Sequence, residues 1–314
     1  MLIDLTLYKR IKEKKERLDN LRPLPQTALS KLKEQFAIEM TYHSNAIEGN
    51  TLTLRETQLV IQEGLTIAGK SLKEHLEAVN HKEAIDFLED LVKKKGPTTE
   101  ALIRQIHFLI LTKINNRESG KYRAVQVRIT GADYLPPQAF EVPSLMEVFM
   151  EWLKRNWQKM NPIELASLSH FKLVHIHPFI DGNGRTARLL MNLILMKKGY
   201  PPAIILKTDR KKYYQVLDQA HRGNFAPFVN FIARNVERSL NLYLDAFEIR
   251  KTRKEAEKKK YISLTEAGRG TPYSQEYLSL LARQGKIDAF KLKRNWLTTK
   301  EAIERYIKSR KRKR

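Results

Sequence analysis

Twelve consecutive residues, His177-Pro178-Phe179-Ile180-Asp181-Gly182-Asn183-Gly184-Arg185-Thr186-Ala187-Arg188, gather a base, an acid, two glycines and two arginines, and a strongly apolar stretch follows at once. Leu189, Leu190, Leu193, Ile194 and Met196 recur at helical spacing, and Gly199 before Pro201-Pro202 supplies a stop. A glycine turn therefore opens directly into a helix. Gly182 and Gly184 permit backbone conformations closed to residues with a Cβ, and the first free N–H groups of the helix point at whatever sits in the turn. An anion suits that place. Arg185 and Arg188, three apart, share one helix face and can grip two phosphates of one chain. Asp181 can offer a hard oxygen to Mg2+ bridging such phosphates. His177, with an ordinary pKa of about 6.5, suits a general base acting on a hydroxyl near neutral pH.

The stretch matches HPFxxGNGRxxR, and on it the chain resembles the Fic family. The resemblance implies transfer of AMP from ATP to a Ser, Thr or Tyr hydroxyl of a protein, itself included, with pyrophosphate leaving. In those terms His177 is the base and Asp181 the ligand of Mg2+, with Mn2+ as the alternative ion. Gly182, Asn183 and Gly184 form the anion cradle, and Arg185 and Arg188 hold the β and γ phosphates. A phosphate-transferring relative carries Lys at the Gly184 position, so adenylylation is favoured here. His170 and His175, on the approach to His177, read as packing residues because neither is followed by a cradle.

The fold expected is mainly α: a Fic-type helical bundle with a small β-hairpin flap, then a small winged helix-turn-helix domain. Four segments are expected, 1–115 with an inhibitory helix at about 26–49, a catalytic core at 116–245, a basic helical linker at 246–260, and the winged module with its tail at 261–314. Helices are read at Leu5–Leu21 and Gln26 to about Ile47, with starts near Leu54 and Leu72 because Thr53 with Glu56 and Ser71 with Glu74 fit capping boxes. Further helices are read at 99–114, with a face of Leu102, Ile106, Leu109 and Ile110, and at 144–160, 161–174, 210–220 and 227–244.

Glu48 stands before a helix-ending Gly49, where a carboxylate opposes the negative end of the helix dipole. That misplacement hints at a partner elsewhere. Ser44 with Glu48-Gly49 resembles the Fic inhibitory pattern (S/T)xxxE(G/N), which implies that Glu48 pairs with Arg188 and takes the γ-phosphate position. The same glutamate in some relatives positions a water that removes AMP, so a deAMPylase remains an alternative. Tyr122–Ile129 alternates and 131–137 turns, which reads as a hairpin, either a plain ribbon or, by resemblance, the flap at 120–142 that docks the protein substrate. Tyr213, Tyr214 and His221 fall where relatives close over the adenine, often with Asn at the His221 position. A packing role for the tyrosines stands beside that one.

Charge places a second interaction at the C-terminus. The formal net charge is +23, and residues 250–314 contain 21 basic against 7 acidic side chains. The segment 262–307 resembles an excisionase-like winged helix-turn-helix, with Gln275, Tyr277, Ser279 and Arg283 on or near the recognition helix, wing strands at 285–287 and 290–292, and Lys291, Lys293 and Arg294 near phosphates. The tail 308–314 adds sequence-independent attraction. DNA is the expected partner, a basic protein-binding module the alternative, and a nucleotide-sensing DNA-binding regulator the reading from another class. No apolar run approaches a membrane span and there is no cysteine, so a cytoplasmic protein without membrane contact is expected. A homodimer controlling Glu48 is plausible on the resemblance alone.

Overall fold

A computed structural model describes residues 1–129, 134–258, 261–292 and 294–311. The chain divides into two compact units, Met1–Tyr243 and Leu244–Arg314. In the first unit the elements run α1 (Leu5–Asn20), α2 (Gln26–Ile47), α3 (Leu54–Glu63), α4 (Leu72–Lys94), α5 (Glu100–Leu111), α6 (Val142–Asn156), α7 (Pro162–Ile176), α8 (Asn183–Lys197) and α9 (Arg210–His221). α10 (Ala226–Lys258) continues past Tyr243. Both capping boxes form: the Thr53 and Ser71 hydroxyls accept from the N–H groups of Glu56 and Glu74, whose carboxylates reach back to the cap N–H groups. α7 starts as its Asn-Pro pair dictates, with Asn161 Oδ1 accepting from Ile163 and Glu164.

α8 is the axis of this unit. Leu189, Leu190, Met191, Leu193, Ile194 and Leu195 are each at most 1% exposed, and the helix packs against α2, α4, α5 and α7. A helix apolar on every side can be stable only inside a bundle. Its one mid-helix amide has work: Asn192 donates to the Ala203 carbonyl at 3.0 Å and accepts from the Ala203 N–H at 2.8 Å, pinning the returning chain. α5 turns inward the face with Ile106 and Ile110 that was expected, rotated so that Leu102 and Leu109 are only half-buried. Ile103, Ile106, His107, Ile110 and Leu111 are buried, so a histidine takes a place on the apolar stripe.

The alternating run at Tyr122–Ile129 forms no ladder among the described residues, and 130–133, at the turn expected there, lie outside them. The backbone is held by other donors. Gln126 Nε2 reaches the Pro136 carbonyl at 2.9 Å, and Arg123 bonds carbonyls on both sides, so side chains replace the cross-strand bonds that two prolines deny.

In the second unit β1 (Ile262–Ser263), α11 (Leu264–Gly268), α12 (Gln275–Arg283), β2 (Ala289–Leu292), β3 (Asn295–Thr298) and α13 (Lys300–Lys311) follow in turn, with the strands antiparallel in the order β1-β3-β2. Its core is Leu264, Ala267, Leu278, Leu281, Ala282, Ile287 and Ile303. The first wing strand lies at 289–292, not at 285–287. Gly285, at φ 65°, closes α12, and the Lys286 N–H returns to the Leu281 carbonyl at 2.9 Å, so these residues cap a helix. Lys293 and 312–314, expected near phosphates, lie outside the described residues.

Candidate active site

The twelve-residue stretch builds one turn and the mouth of one helix. α7 ends at His177, which has φ 50° and ψ 57°, a left-handed conformation that costs a residue with a Cβ roughly 1 kcal/mol or more. Gly182, at φ 76°, is the N-cap of α8. Between them Asn183 closes the loop on itself: its Oδ1 accepts from Phe179 N at 3.0 Å and its Nδ2 donates to Phe179 O at 2.8 Å. The Asn183 side chain is thereby consumed, and only its backbone N–H is left for the cradle. His107 of α5 braces the same loop, donating from Nε2 to the Asp181 carbonyl at 2.9 Å, accepting from Gly120 N at Nδ1, and stacking on Phe179 with centroids 3.6 Å apart.

At the mouth of α8 sits a carboxylate from α2. Arg188 Nη2 donates to Glu48 Oε1 at 2.7 Å and to the Ser44 carbonyl at 2.9 Å, while its Nε donates to Ser44 Oγ at 2.9 Å. One guanidinium thus clasps a full turn of α2, whose residues 44 and 48 stand four apart on one face. A Cβ added at Gly184 would collide with Glu48 Oε1 and lie 3.1 Å from Arg188 Nη1. The space a side chain would need at Gly184 is therefore where the carboxylate rests, against the N-terminal end of α8. There the free N–H groups and the helix dipole favour an anion. Burial works against the charge on Arg188, but the neighbouring Glu48 carboxylate raises its pKa above the ordinary value. Arg188 Nη1 has no partner although it is buried.

The two arginines are not equivalent. Arg185 Nη1 pairs with Glu77 of α4 at 3.1 Å, its side chain is 3% exposed, and its Nη2 lies 3.6 Å from Asp181 Oδ2. Asp181 is half exposed, and its Oδ1 accepts from Gly182 N at 2.6 Å. A single accessible carboxylate beside a helix N-terminus is the kind of ligand that Mg2+ takes together with phosphate oxygens. His177 is driven down to about 4, mainly by burial, although its Nδ1 lies 3.3 Å from the Val174 carbonyl and Glu48 and Asp181 pull it up. It is neutral at pH 7 and free to accept a proton.

The residues expected at the base divide. Tyr213 is a core residue, 1% exposed, with its hydroxyl on His170 Nε2 at 2.9 Å. Tyr214 is half buried under the Arg210 guanidinium, 5.0 Å from its ring centre, and Glu48 and Arg188 both act on its hydroxyl. His221 stacks on Tyr134 at 3.9 Å, with its Nδ1 3.1 Å from His175 Nδ1. His175, expected only to pack, thus lies beside it.

Glu77, His107 and Arg123 were missed by sequence reasoning. Each carried a faint signal. His107 lies on an apolar helix face, and Arg123 shares the side of its alternating run with Val125, Val127 and Ile129. A groove of about 1050 Å³ lined by Val92, Met150, Trp157 and Met196 opens at the far end of α8 and contains no residue of the twelve.

Residues 97–195 match the Fic/DOC family. Over 244 residues, 77% of this chain, it is 40% identical to the protein adenylyltransferase Fic of Nematostella vectensis, of which it covers 56%; the chain spans about half the length of the curated relatives it matches. The crystal structure of a Fic domain containing signaling protein from Bacteroides thetaiotaomicron aligns with a TM-score of 0.72 at 31% identity, covering 76% of this chain and 97% of that one. Fic-1 from C. elegans aligns with a TM-score of 0.70 at 34% identity, covering 77% and 73%.

Proposed function

The chain belongs to the Fic/DOC family, and on that premise we propose that it is a protein adenylyltransferase held off by its own α2. The observation that carries the proposal is the Glu48 carboxylate lodged against Gly184 and on Arg188. An internal anion there marks the seat of a substrate anion. ATP would lie with its phosphates on the first N–H groups of α8 and with its γ-phosphate on Arg188. The unpartnered Nη1 supplies a further donor. Mg2+ held by Asp181 would neutralise charge on the phosphates. The protein target's hydroxyl gives its proton to neutral His177 as its oxygen bonds to the α-phosphorus, the bond to the β-phosphate oxygen breaks, and pyrophosphate carries the electron pair away. While Glu48 occupies the cradle the γ-phosphate has no place, and the α-phosphorus cannot align.

The test is AMP incorporation from labelled ATP with Mg2+ in the wild type, Glu48→Gly, and Glu48→Gly with His177→Ala. Signal well above the wild type's is expected in the single variant, and none in the double variant. Equal signal in the wild type rejects the inhibition, and signal surviving His177→Ala rejects the base. No signal in all three, with loss of AMP from a modified target in the wild type, assigns the site to AMP removal.

For the second unit we propose contact with DNA through α12 and the β2–β3 hairpin. Gln275 and Arg283 on α12 are exposed, as are Lys291 and Arg294 around the hairpin. Tyr277 is withdrawn from this surface, packing on Tyr273 and lying near the Tyr306 hydroxyl. Duplex affinity should fall steeply with salt, log K against log salt sloping by about −0.9 per phosphate neutralised. A flat slope rejects the contact.

A further inference from the structure

Resting on the adenylyltransferase reading, we propose that Arg123 is a positioning residue that keys the catalytic His177 and the segment receiving the target chain to a single guanidinium. Arg123 is 2% exposed. Its Nε donates to the His177 carbonyl at 2.8 Å, its Nη2 to the Pro137 carbonyl at 2.5 Å, and its Nη1 to the Val125 carbonyl at 3.1 Å, with Gln126 Oε1 at 3.5 Å. Its backbone N–H adds a bond to the Pro178 carbonyl at 2.9 Å. A buried cation is costly unless its donors are satisfied, and these are satisfied by oxygens from three separate stretches of chain.

The stretches are those that matter for transfer. His177 is the C-cap of α7 and stands in the strained left-handed region, so its carbonyl lies at the negative end of a helix dipole. A guanidinium there stabilises both the charge and the conformation. The same group holds residues 125 and 137, the two sides of the segment that would dock the target. Tyr134 ties that segment again to the last turn of α7, its hydroxyl donating to the His175 carbonyl at 3.0 Å. A target strand laid along residues 125–129 is therefore registered against the imidazole that must take its proton. Lysine could supply the charge but not the fork that reaches three carbonyls.

Arg123→Lys and Arg123→Gln in the Glu48→Gly protein test this. Both should lower kcat for transfer to protein by roughly tenfold or more, as misplacement of a reacting group does, while KM for ATP changes less than about threefold, since Arg123 touches no part of the cradle. In the same proteins the His177 imidazole, assigned by its loss in His177→Asn and followed by NMR, should titrate higher in Arg123→Gln than in its parent, because a cation has left its neighbourhood. Transfer within about twofold of the parent in both variants overturns the proposal. So does a loss matched by an equal loss of ATP-binding sites, the mark of misfolded protein. If the Glu48→Gly parent transfers no AMP, the transferase reading fails by itself. The titration then decides: an unmoved His177 overturns the positioning role.

Discussion

Glu48 ends one helix and faces the start of another. At the end of α2 its charge meets the wrong pole, and at the mouth of α8 it meets the right one, with Arg188 2.7 Å away. Its value to the resting protein is thus set by α8. Hydrogen bonds to charged groups contribute about 1.5–3 kcal/mol, so Glu48→Gly should raise AMP transfer by roughly one to two decades, a factor of ten per ~1.4 kcal/mol. Ser44→Ala removes only the acceptor for Arg188 Nε and should raise it by several-fold, about 1 kcal/mol. Initial rates of labelled AMP incorporation order the two, and a larger effect at Ser44 would place the inhibition elsewhere. His177 gives the second prediction at this scale. With its pKa near 4, kcat of Glu48→Gly should be nearly equal at pH 7.5 and pH 5.5, whereas a histidine titrating at about 6.5 would lose about tenfold there. The meeting of Glu48 with Arg188 was legible through the resemblance of its motif, and the turn before α8 through Gly182. Glu77 was not, since an acid on a charged helix has no sequence mark that it will meet Arg185, and neither was the consumption of the Asn183 side chain, which depends on how its own loop closes.

Elements with a local chemical signal are where the sequence reads true. α2 spans Gln26–Ile47 as its apolar spacing and Gly49 predict, and α3 and α4 begin at their capping boxes. Where the signal is weaker, packing decides: alternation in Tyr122–Ile129 describes an extended chain without saying whether a ladder forms, and among the described residues side-chain bonds from Arg123 and Gln126 hold it. In the second unit Gly285 could open a strand or close a helix, and only the packing of Ile287 into the core decides. What holds α2 in place is likewise packing. Leu32, Phe36, Met40 and Ile47 are buried, and Phe36 meets Tyr243 edge-on at 5.1 Å. Phe36→Ala should cost about 3–5 kcal/mol, part of it as looser docking of α2. Transfer per folded molecule, corrected by active-site titration, should rise above the wild type and stay below Glu48→Gly. A rate at or below the wild type would mean that Glu48 keeps its seat without that packing.

At the scale of the molecule the first unit carries an unusual load of buried neutral histidines. Burial holds His81 and His170 near 3 and His107 near 4, against about 6.5 in an unfolded chain. Their surroundings show why protonation is excluded: Arg188 acts on both His81 and His170, and Arg185 on His81 and His107, so a further charge would enter a core already holding two arginines. Because the folded pKa values lie below the unfolded ones, the unfolded chain binds the extra protons. The stability these groups contribute is complete above about pH 6.5 and is lost as pH falls from there toward 3–4. At one unit per 1.36 kcal/mol, each would forfeit about 3 kcal/mol by pH 4. The first unit should therefore lose stability steadily as pH falls toward the range in which His177 titrates. Urea midpoints at fixed salt should fall steadily between pH 6.5 and 4.5 with little change in slope, and His81→Phe or His170→Phe should each flatten the fall by removing one proton site. A midpoint unchanged down to pH 4.5 would show that these histidines are not held neutral. The same clustering that buries Arg188 around its contact with Glu48 thus restricts the pH range in which the bundle around it can stand.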